Sequence, residues 1–412
     1  MTLLPDPLTA LAVLAALLAL AGSAQAIAGW LAARRFVADW PPIRAQRNEP
    51  GARPKVTILK PLCGDEPMLE QALASVCAQT YPDFQIVFGV QHATDPAIAV
   101  VRRLQARHPA CDIALVIDPT AHGGNRKIAN LINMLPAASH DILVIADSDI
   151  VCPPDWLERV VGTLQIPGTG LATAVYAAFA TNNSLAANLG ASNITHSFFP
   201  GALMARWLGR QDCLGATMAL HRATLAKIGG FKALVDHLAD DHELGRLIRA
   251  ENLAIRLADT MVLTTVPEHR LAPLIRHELR WNRTVLAVAP VGFPLSAIQF
   301  PLFWAALAIP LAIAGGLGAA WSVALFLASW LVRAACAAGV DAVIARTNNL
   351  LLATPAPIWL LPLRDLLSMT TLLASYRSDR VEWRGQVLHT GRTGPATEYE
   401  VAPPAPRVVS AG

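Results

Sequence analysis

The stretch His140 to Pro154, HDILVIADSDIVCPP, decides the fold. Ile142 to Ala146 is a short, wholly apolar run rich in β-branched residues, the pattern of a strand buried on both faces of a parallel sheet. Asp147, Ser148 and Asp149 follow it directly, and Pro153 and Pro154 stop the strand. Carboxylates that leave the carboxyl end of a buried strand stand where open α/β sheets bind ligands. Hard oxygen donors at this spacing suit Mg²⁺ or Mn²⁺, which in turn would hold a diphosphate. Asp and Ser also favour ordinary turns, so the short Asp-x-Asp pattern leaves both readings open by itself.

Outward from this strand the texture is regular. Val56 to Leu59 reads as a first strand, Glu66 to Ala78 as a helix, Phe84 to Val90 as a second strand and Pro96 to Arg107 as a second helix. Ile113 to Ile117 is a third strand, and Arg126 to Leu135 the helix that leads into Ile142. This alternation implies an α/β fold with a mostly parallel sheet of the nucleotide-binding kind and right-handed crossovers. Beyond it, Gly170 to Val175 reads as a strand, Leu185 to Ser197 as a helix, Gly215 to Leu220 as a strand and Leu257 to Val266 as another. Phe198 to Pro200 and Met204 to Leu208 are apolar enough either for core or for an interfacial element where a lipid enters. Asp240, Asp241 and Glu243 form an acidic first turn ahead of Leu244, Leu247 and Ile248 at helical spacing.

The composition is too apolar for an ordinary cytosolic protein: 54% hydrophobic, 15% charged, with a mean hydropathy of +0.41. A formal net charge of +3 gives no indication of a nucleic-acid partner. The six cysteines show no C-x-x-C spacing and read as free thiols of a reducing compartment, which argues against a zinc site.

Leu8 to Ala33 is almost uncharged and long enough to cross a bilayer. Arg34, Arg35, Arg44 and Arg47 follow it, so residue 34 onward is expected on the cytosolic side. Ala24-Gln25-Ala26 resembles a signal-peptide cleavage site, but no Lys or Arg precedes the apolar run, and the run continues past it. An uncleaved anchor is the better reading. Gly292 to Val340 carries one charge, Arg333, and a break at Gly315 to Gly318, the pattern of a helical hairpin. Leu350 to Ser375 is interrupted by prolines and by Arg364-Asp365, a pair that lipid would penalise, so a re-entrant or interfacial segment is expected. The expected organisation is an anchor over 1–34, a basic linker over 35–54, a catalytic domain over 55–284, a membrane region over 285–390 and a disordered tail over 391–412.

Four features occur in order: Asp95 after the second strand, Asp147-Ser148-Asp149, Asp240-Asp241, and His277-Glu278-Leu279-Arg280-Trp281. This order resembles the membrane-bound, family 2-like glycosyltransferases of the GT-A fold, with their D, DxD, (E/T)D and (Q/R)xxRW signature. The similarity is closest to the ceramide glucosyltransferase family. It rests on Leu59-Lys60-Pro61-Leu62 with Gly64-Asp65-Glu66-Pro67, Gly89-Val90-Gln91 with Asp95 to Ile98, Asn125 to Ile128 with Asn130-Leu131, and Trp383-Arg384-Gly385. Through KPLCGDEP, NRKIANLINM and ADSDI the chain is similar to the bacterial branch associated with hopanoid biosynthesis. The resemblance covers about residues 55–390.

The resemblance implies transfer of one hexose, glucose or N-acetylglucosamine, from a UDP-sugar to a lipid hydroxyl, on a hopanoid such as bacteriohopanetetrol or on ceramide. It implies Asp241 as general base, with Asp240 raising its pKa by like-charge repulsion. Mg²⁺ or Mn²⁺ on Asp147 and Asp149 would take up charge on the leaving diphosphate. Lys127 and Arg280 are candidates for phosphate contacts, and Trp281 for a wall of the sugar or acceptor pocket. A single base without a nucleophile points to one inverting displacement. Two departures stand out. His92 follows Gln91 where the family has Asp, which leaves the nucleotide base to Asp95 or to His92, and His277 takes the first position of the (Q/R)xxRW motif. The implied location is the bacterial inner membrane, multi-pass, with the catalytic domain in the cytosol. A processive polysaccharide synthase shares the motifs but needs more membrane segments, and a non-catalytic scaffold would not need these acids.

Overall fold

The computed structural model describes residues 6–40, 53–347, 354–383, 386–389 and 400–401. One sheet organises the chain. Strands β1 (Val56–Pro61), β2 (Phe84–Val90), β3 (Asp112–Ile117) and β4 (Ile142–Ala146) pair in parallel in the order β3-β2-β1-β4. Helices α2 (Leu69–Cys77), α3 (Ala97–Arg107) and α4 (Arg126–Met134) make the crossovers. β4 is buried along all five residues, as its continuous apolar run requires.

The second half departs from the parallel plan. β7 (Thr217–His221), which runs into helix α8 (Arg222–Lys227), lies antiparallel between β4 and β6 (Thr169–Ala180), and β8 (Ala254–Val266) runs parallel to β6. The two-residue strand β5 (Ile150–Val151), directly after the Asp-Ser-Asp turn, closes the edge antiparallel to β8. The result is an eight-stranded mixed sheet, β3-β2-β1-β4-β7-β6-β8-β5. It keeps the α/β, mostly parallel character expected of a GT-A domain. Helix α5 (Trp156–Leu164) packs on it, with Trp156 fully buried.

Several elements differ in extent from their sequence patterns. The strand read over Gly170 to Val175 runs on to Ala180, because Ala177, Ala178 and Phe179 are buried beside β8. The helix read over Leu185 to Ser197 is α6 (Leu185–Asn193), followed by a π-helical turn over Ile194–Phe198. Helix α7 (Phe199–Trp207) then buries Phe199, Pro200 and Leu203, the core reading of this segment, while Trp207 and Leu208 are exposed.

The apolar helices are α1 (Pro7–Ala38), α11 (Pro301–Ala314) and α12 (Ala320–Thr347), the last two separated at the Gly315 to Gly318 break. α1 and α12 are long and apolar enough to cross a membrane. Their burial is inverted relative to a soluble helix. α1 turns Ala12, Ala15, Ala19 and Gly22 inward and Leu14, Leu17 and Leu20 outward, and α12 buries Ser322, Ser329 and Arg333 while Leu327 and Leu331 are exposed. Small and polar residues inside with large apolar ones outside is the packing of helices whose solvent is lipid. Helix α13 (Leu361–Ser375) repeats it, burying Arg364, Asp365, Ser368, Thr371 and Ser375 and exposing Leu363, Leu366 and Leu373. α1 lies along α11 and α12 and is continuous through Ala24-Gln25-Ala26. A Cβ on Gly22 would fall 2.2 Å from the Ile298 carbonyl oxygen, so only glycine permits this approach.

Most of the linker expected over 35–54 and most of the tail expected over 391–412, together with Arg384 and Gly385, lie outside the described residues. Glu400–Val401 pairs antiparallel with Gln386–Val387, which in turn belongs to a hairpin of Arg380–Trp383 with Gln386–His389.

Candidate active site

The carboxyl end of β4 delivers Asp147, and the turn into β5 delivers Asp149. The turn is held by a buried lysine. Lys60, 0% exposed at the end of β1, donates from Nζ to the Asp147 carbonyl at 2.6 Å. Burial lowers the Lys60 pKa, and the acids around it, Asp149, Asp147 and Glu66 among them, oppose that fall. Ser148 donates to Glu66 at 2.5 Å, and Asp149 accepts from the Thr264 hydroxyl on β8. Burial first, and then the charges of Asp147 and Glu66, push the Asp149 carboxyl up to about 6.

Helix α4 brings in Lys127. Asn125 caps that helix by accepting from Ile128 N at 3.1 Å, and its amide reaches the His237 carbonyl at 2.8 Å, just ahead of helix α9 (Asp240–Ala250). Lys127 Nζ then lies 2.8 Å from Asp147 Oδ1 and 3.3 Å from Asp240 Oδ2. Burial pulls its pKa down, and Asp147, Asp240 and Asp241 more than reverse this, holding it firmly charged.

Asp241 sits in the first turn of α9, where its carboxylate accepts from Gly215 N at 3.1 Å and His242 N at 2.7 Å. Burial and then the neighbouring Asp240 push it up to about 6, against the pull of Lys127. The like-charge effect expected from Asp240 is present, second to burial. A Cβ on Gly215 would stand 2.9 Å from Asp241 Oδ2, so the carboxylate occupies the space glycine leaves open.

The fourth motif lies on helix α10 (Leu271–Val288). His277 and Trp281 stack with ring centroids 4.2 Å apart, and His277 Nδ1 is 2.7 Å from Glu268 Oε1. The Arg280 guanidinium lies 6.0 Å from the Trp281 ring centroid. Trp281 packs against the buried cluster of Ala178, Ala187, Ala191, Ile194 and Val266, and Phe198 and Tyr176 pack against the same cluster. Tyr176 joins this group to the acids: its ring is 4.6 Å from Phe198, and after burial the charges of Asp241, Asp147 and Asp149 raise its pKa further while Arg280 lowers it.

Asp147, Asp149, Lys127, Asp240 and Asp241 therefore converge, and Arg280 and Trp281 approach through Tyr176. Asp95 and His92 lie on the loop after β2. The Asp95 carboxylate accepts from Gly64 N at 3.0 Å and Ala97 N at 2.9 Å, tying the loop after β1 to the start of α3. His92 is exposed on the loop after β2. Lys60, Glu66, Thr264 and Tyr176 were not singled out from sequence as site residues. A lysine inside the otherwise buried strand VTILKP was the available signal for the first of them.

The acidic turn fits a divalent cation. Its two carboxylates are hard donors, Asp149 is raised by burial first and then by the charges of Asp147 and Glu66, and a cation would relieve that charge. Among the described residues no cluster of three or more His, Cys, Asp or Glu forms a complete cage, so water and phosphate oxygens would fill the remaining positions, as Mg²⁺ and Mn²⁺ sites commonly allow.

Known proteins resemble the chain in the same sense. Ceramide glucosyltransferase 1 of Caenorhabditis elegans is 23% identical over 253 residues, 58% of this chain and 51% of that protein. The ceramide glucosyltransferase of Komagataella phaffii is 34% identical over 114 residues, 27% of this chain and 22% of that protein. An N-acetylglucosaminyltransferase of Bradyrhizobium diazoefficiens is 24% identical over 245 residues, 56% of this chain and 49% of that protein. The chain thus spans about half, or less, of the length of these curated relatives. Among solved structures, a mannosyltransferase of Pyrobaculum calidifontis in complex with GDP-Man and Mn²⁺ is similar at a TM-score of 0.48 and 20% identity, over 88% of this chain and 99% of that one. The family model described as glycosyl transferase family 21 matches residues 12–396, and the chain belongs to that family.

Proposed function

We propose that this protein is a membrane glycosyltransferase that moves a single hexose from a UDP-sugar to a lipid hydroxyl and inverts the anomeric carbon. The observation that carries the reading is the meeting of Asp147 and Asp149 with Lys127, Asp240 and Asp241 at the carboxyl ends of the strands. Asp241, pushed up to about 6, is ionised at neutral pH yet basic enough to take a hydroxyl proton. In the step, the acceptor oxygen bonds to the anomeric carbon, Asp241 receives its proton, and the bond to the diphosphate oxygen breaks with its electron pair leaving on UDP. Mg²⁺ or Mn²⁺ at Asp147 and Asp149 supplies Lewis-acid stabilisation of that charge. Lys127 keeps a positive charge against Asp147 throughout, and Arg280 adds a second.

The ceramide glucosyltransferases among the relatives support a glycolipid product, and the outward-facing leucines of α1, α12 and α13 support a membrane setting. The arginines after α1 support a cytosolic catalytic domain at a bacterial inner membrane, crossed more than once. The acceptor is a hopanoid such as bacteriohopanetetrol, or ceramide; the donor sugar is glucose, with N-acetylglucosamine as the alternative that the Bradyrhizobium relative favours. The deciding assay uses the full chain in detergent with Mn²⁺ or Mg²⁺. UDP-glucose and UDP-N-acetylglucosamine are each offered with each lipid, and products are read by mass spectrometry. One added hexose on one lipid is the expected result; polymer, or no lipid product alongside no UDP binding, would overturn the reading.

A further inference from the structure

The motif helix α10 is gripped from the membrane side. Glu278, the residue between His277 and Leu279, is 2% exposed, and Arg364 on α13 is 0% exposed. Arg364 Nη1 and Nη2 donate to Glu278 Oε1 and Oε2 at 2.7 and 2.8 Å, a two-pronged pair. The same guanidinium donates to the Leu189 carbonyl on α6 at 3.0 Å and to Ser368 at 3.1 Å, so all three of its nitrogens are engaged. Asn282, one turn further along α10, donates to Thr371 of α13 at 3.1 Å. α13 is fastened in turn to the start of α11, where Asp365 accepts from Leu302 N at 3.1 Å, and Arg333 of α12 lies 3.7 Å from Asp365.

A planar, five-donor fork that binds both oxygens of a carboxylate fixes rotation as well as distance. Glu278 lies three residues before Trp281 and two before Arg280, so fixing its carboxylate sets the direction in which those side chains leave the helix. We propose that Arg364 is a positioning residue for sugar transfer: through Glu278 it holds α10 so that Arg280 and Trp281 face the donor site beside Tyr176. The proposal rests on the reading of Arg280 and Trp281 as donor-site residues. It gives the charged pair on α13 a task beyond anchoring.

The test uses the full chain in detergent. Arg364→Met leaves the Glu278 charge buried without a partner and lowers stability for that reason alone. Glu278→Met/Arg364→Met removes both charges and keeps the volume, so its melting temperature is expected close to the parent's. In this double variant kcat is expected at least tenfold lower with the donor KM within threefold, and the emission of Trp281, taken as the difference from the matching Trp281→Phe protein, shifts to the red. If the double variant does not fold, Arg364→Lys, which keeps the charge and loses the fork, is read in the same way. Parental kcat in the folded variant, or unaltered Trp281 emission, overturns the proposal. A parent chain that transfers no sugar would instead overturn the activity, and the Trp281 emission then decides the clamp by itself.

Discussion

Lys127 Nζ stands 2.8 Å from Asp147 Oδ1, and the same ammonium lies 3.3 Å from Asp240, so one half-buried cation joins the Asp-Ser-Asp turn to the helix that carries Asp241. Sequence alone offered Lys127 as a phosphate ligand; the geometry makes it first a counter-charge for the acids. Removing it leaves the half-buried carboxylates of Asp147 and Asp240 without their counter-charge, which lowers stability. Lys127→Met is therefore expected to melt several degrees lower, with Mn²⁺ restoring more of the loss than it adds to the parent. Thermal scans with and without Mn²⁺ check this; equal metal effects in both proteins would refute it.

Asp241→Asn keeps the shape of the side chain and removes the base. Turnover is expected to fall by on the order of 10²–10⁴-fold, with Mn²⁺-dependent UDP affinity within a few-fold of the parent. Single-turnover transfer and calorimetric binding measure the two separately, and normal turnover would remove Asp241 from the mechanism.

The pH dependence follows from the same carboxyl. Its pKa is raised in the folded chain to about 6 from an ordinary 3.8, so the active, ionised form is lost as pH falls through about 6. An acid limb in kcat/KM near that value is expected, with a plateau above it. For stability the sign is opposite: folding favours the protonated form, so the ionised carboxylate weighs against the fold above about 6 and this penalty vanishes below the unfolded value. Asp241→Asn is accordingly expected to melt no lower than the parent at pH 7.5, and a clear loss there would contradict the assigned shift.

Asp149→Ala removes one of the two hard donors of the turn. Binding of UDP with Mn²⁺ is expected to fall to the level the parent shows in EDTA, while binding without metal is unchanged. Titrations that coincide with the parent's in Mn²⁺ would exclude the turn as the metal site.

Gly215→Ala places a methyl 2.9 Å from Asp241 Oδ2 and must displace the carboxylate or the loop before β7. A drop in kcat of tenfold or more with a melting temperature within a few degrees is expected; an undiminished kcat would show that Asp241 does not need this seat.

The parts legible in the sequence are those written in local pattern. Ile142 to Ala146 announces a doubly buried strand, and Asp147 and Asp149 are placed by its end. Phe84 to Val90 and Ile142 to Ala146 coincide with the observed strands residue for residue. What stayed hidden depends on partners far along the chain. Thr264 meets Asp149 across 115 positions and Arg364 meets Glu278 across 86, and no periodicity records such pairs. The antiparallel insertion of β7 between β4 and β6 is likewise a matter of long-range pairing, since its apolar run fits either direction. Asp95 has partners of the same kind: its carboxylate accepts from the backbone amides of Gly64, 31 positions away, and of Ala97. The partner of Arg364, Glu278, was likewise not visible in the sequence.

The bond from the Thr9 hydroxyl to the Gly315 carbonyl, 3.0 Å long, spans 306 positions of sequence. During synthesis the first helix leaves the ribosome before any of the sheet, yet its seat against α11 and α12 exists only once the last third of the chain has been made. The whole α/β sheet is therefore produced before that helix meets its final neighbours. The small-residue stripe of Ala12, Ala15, Ala19 and Gly22 is the surface that helix keeps ready for them.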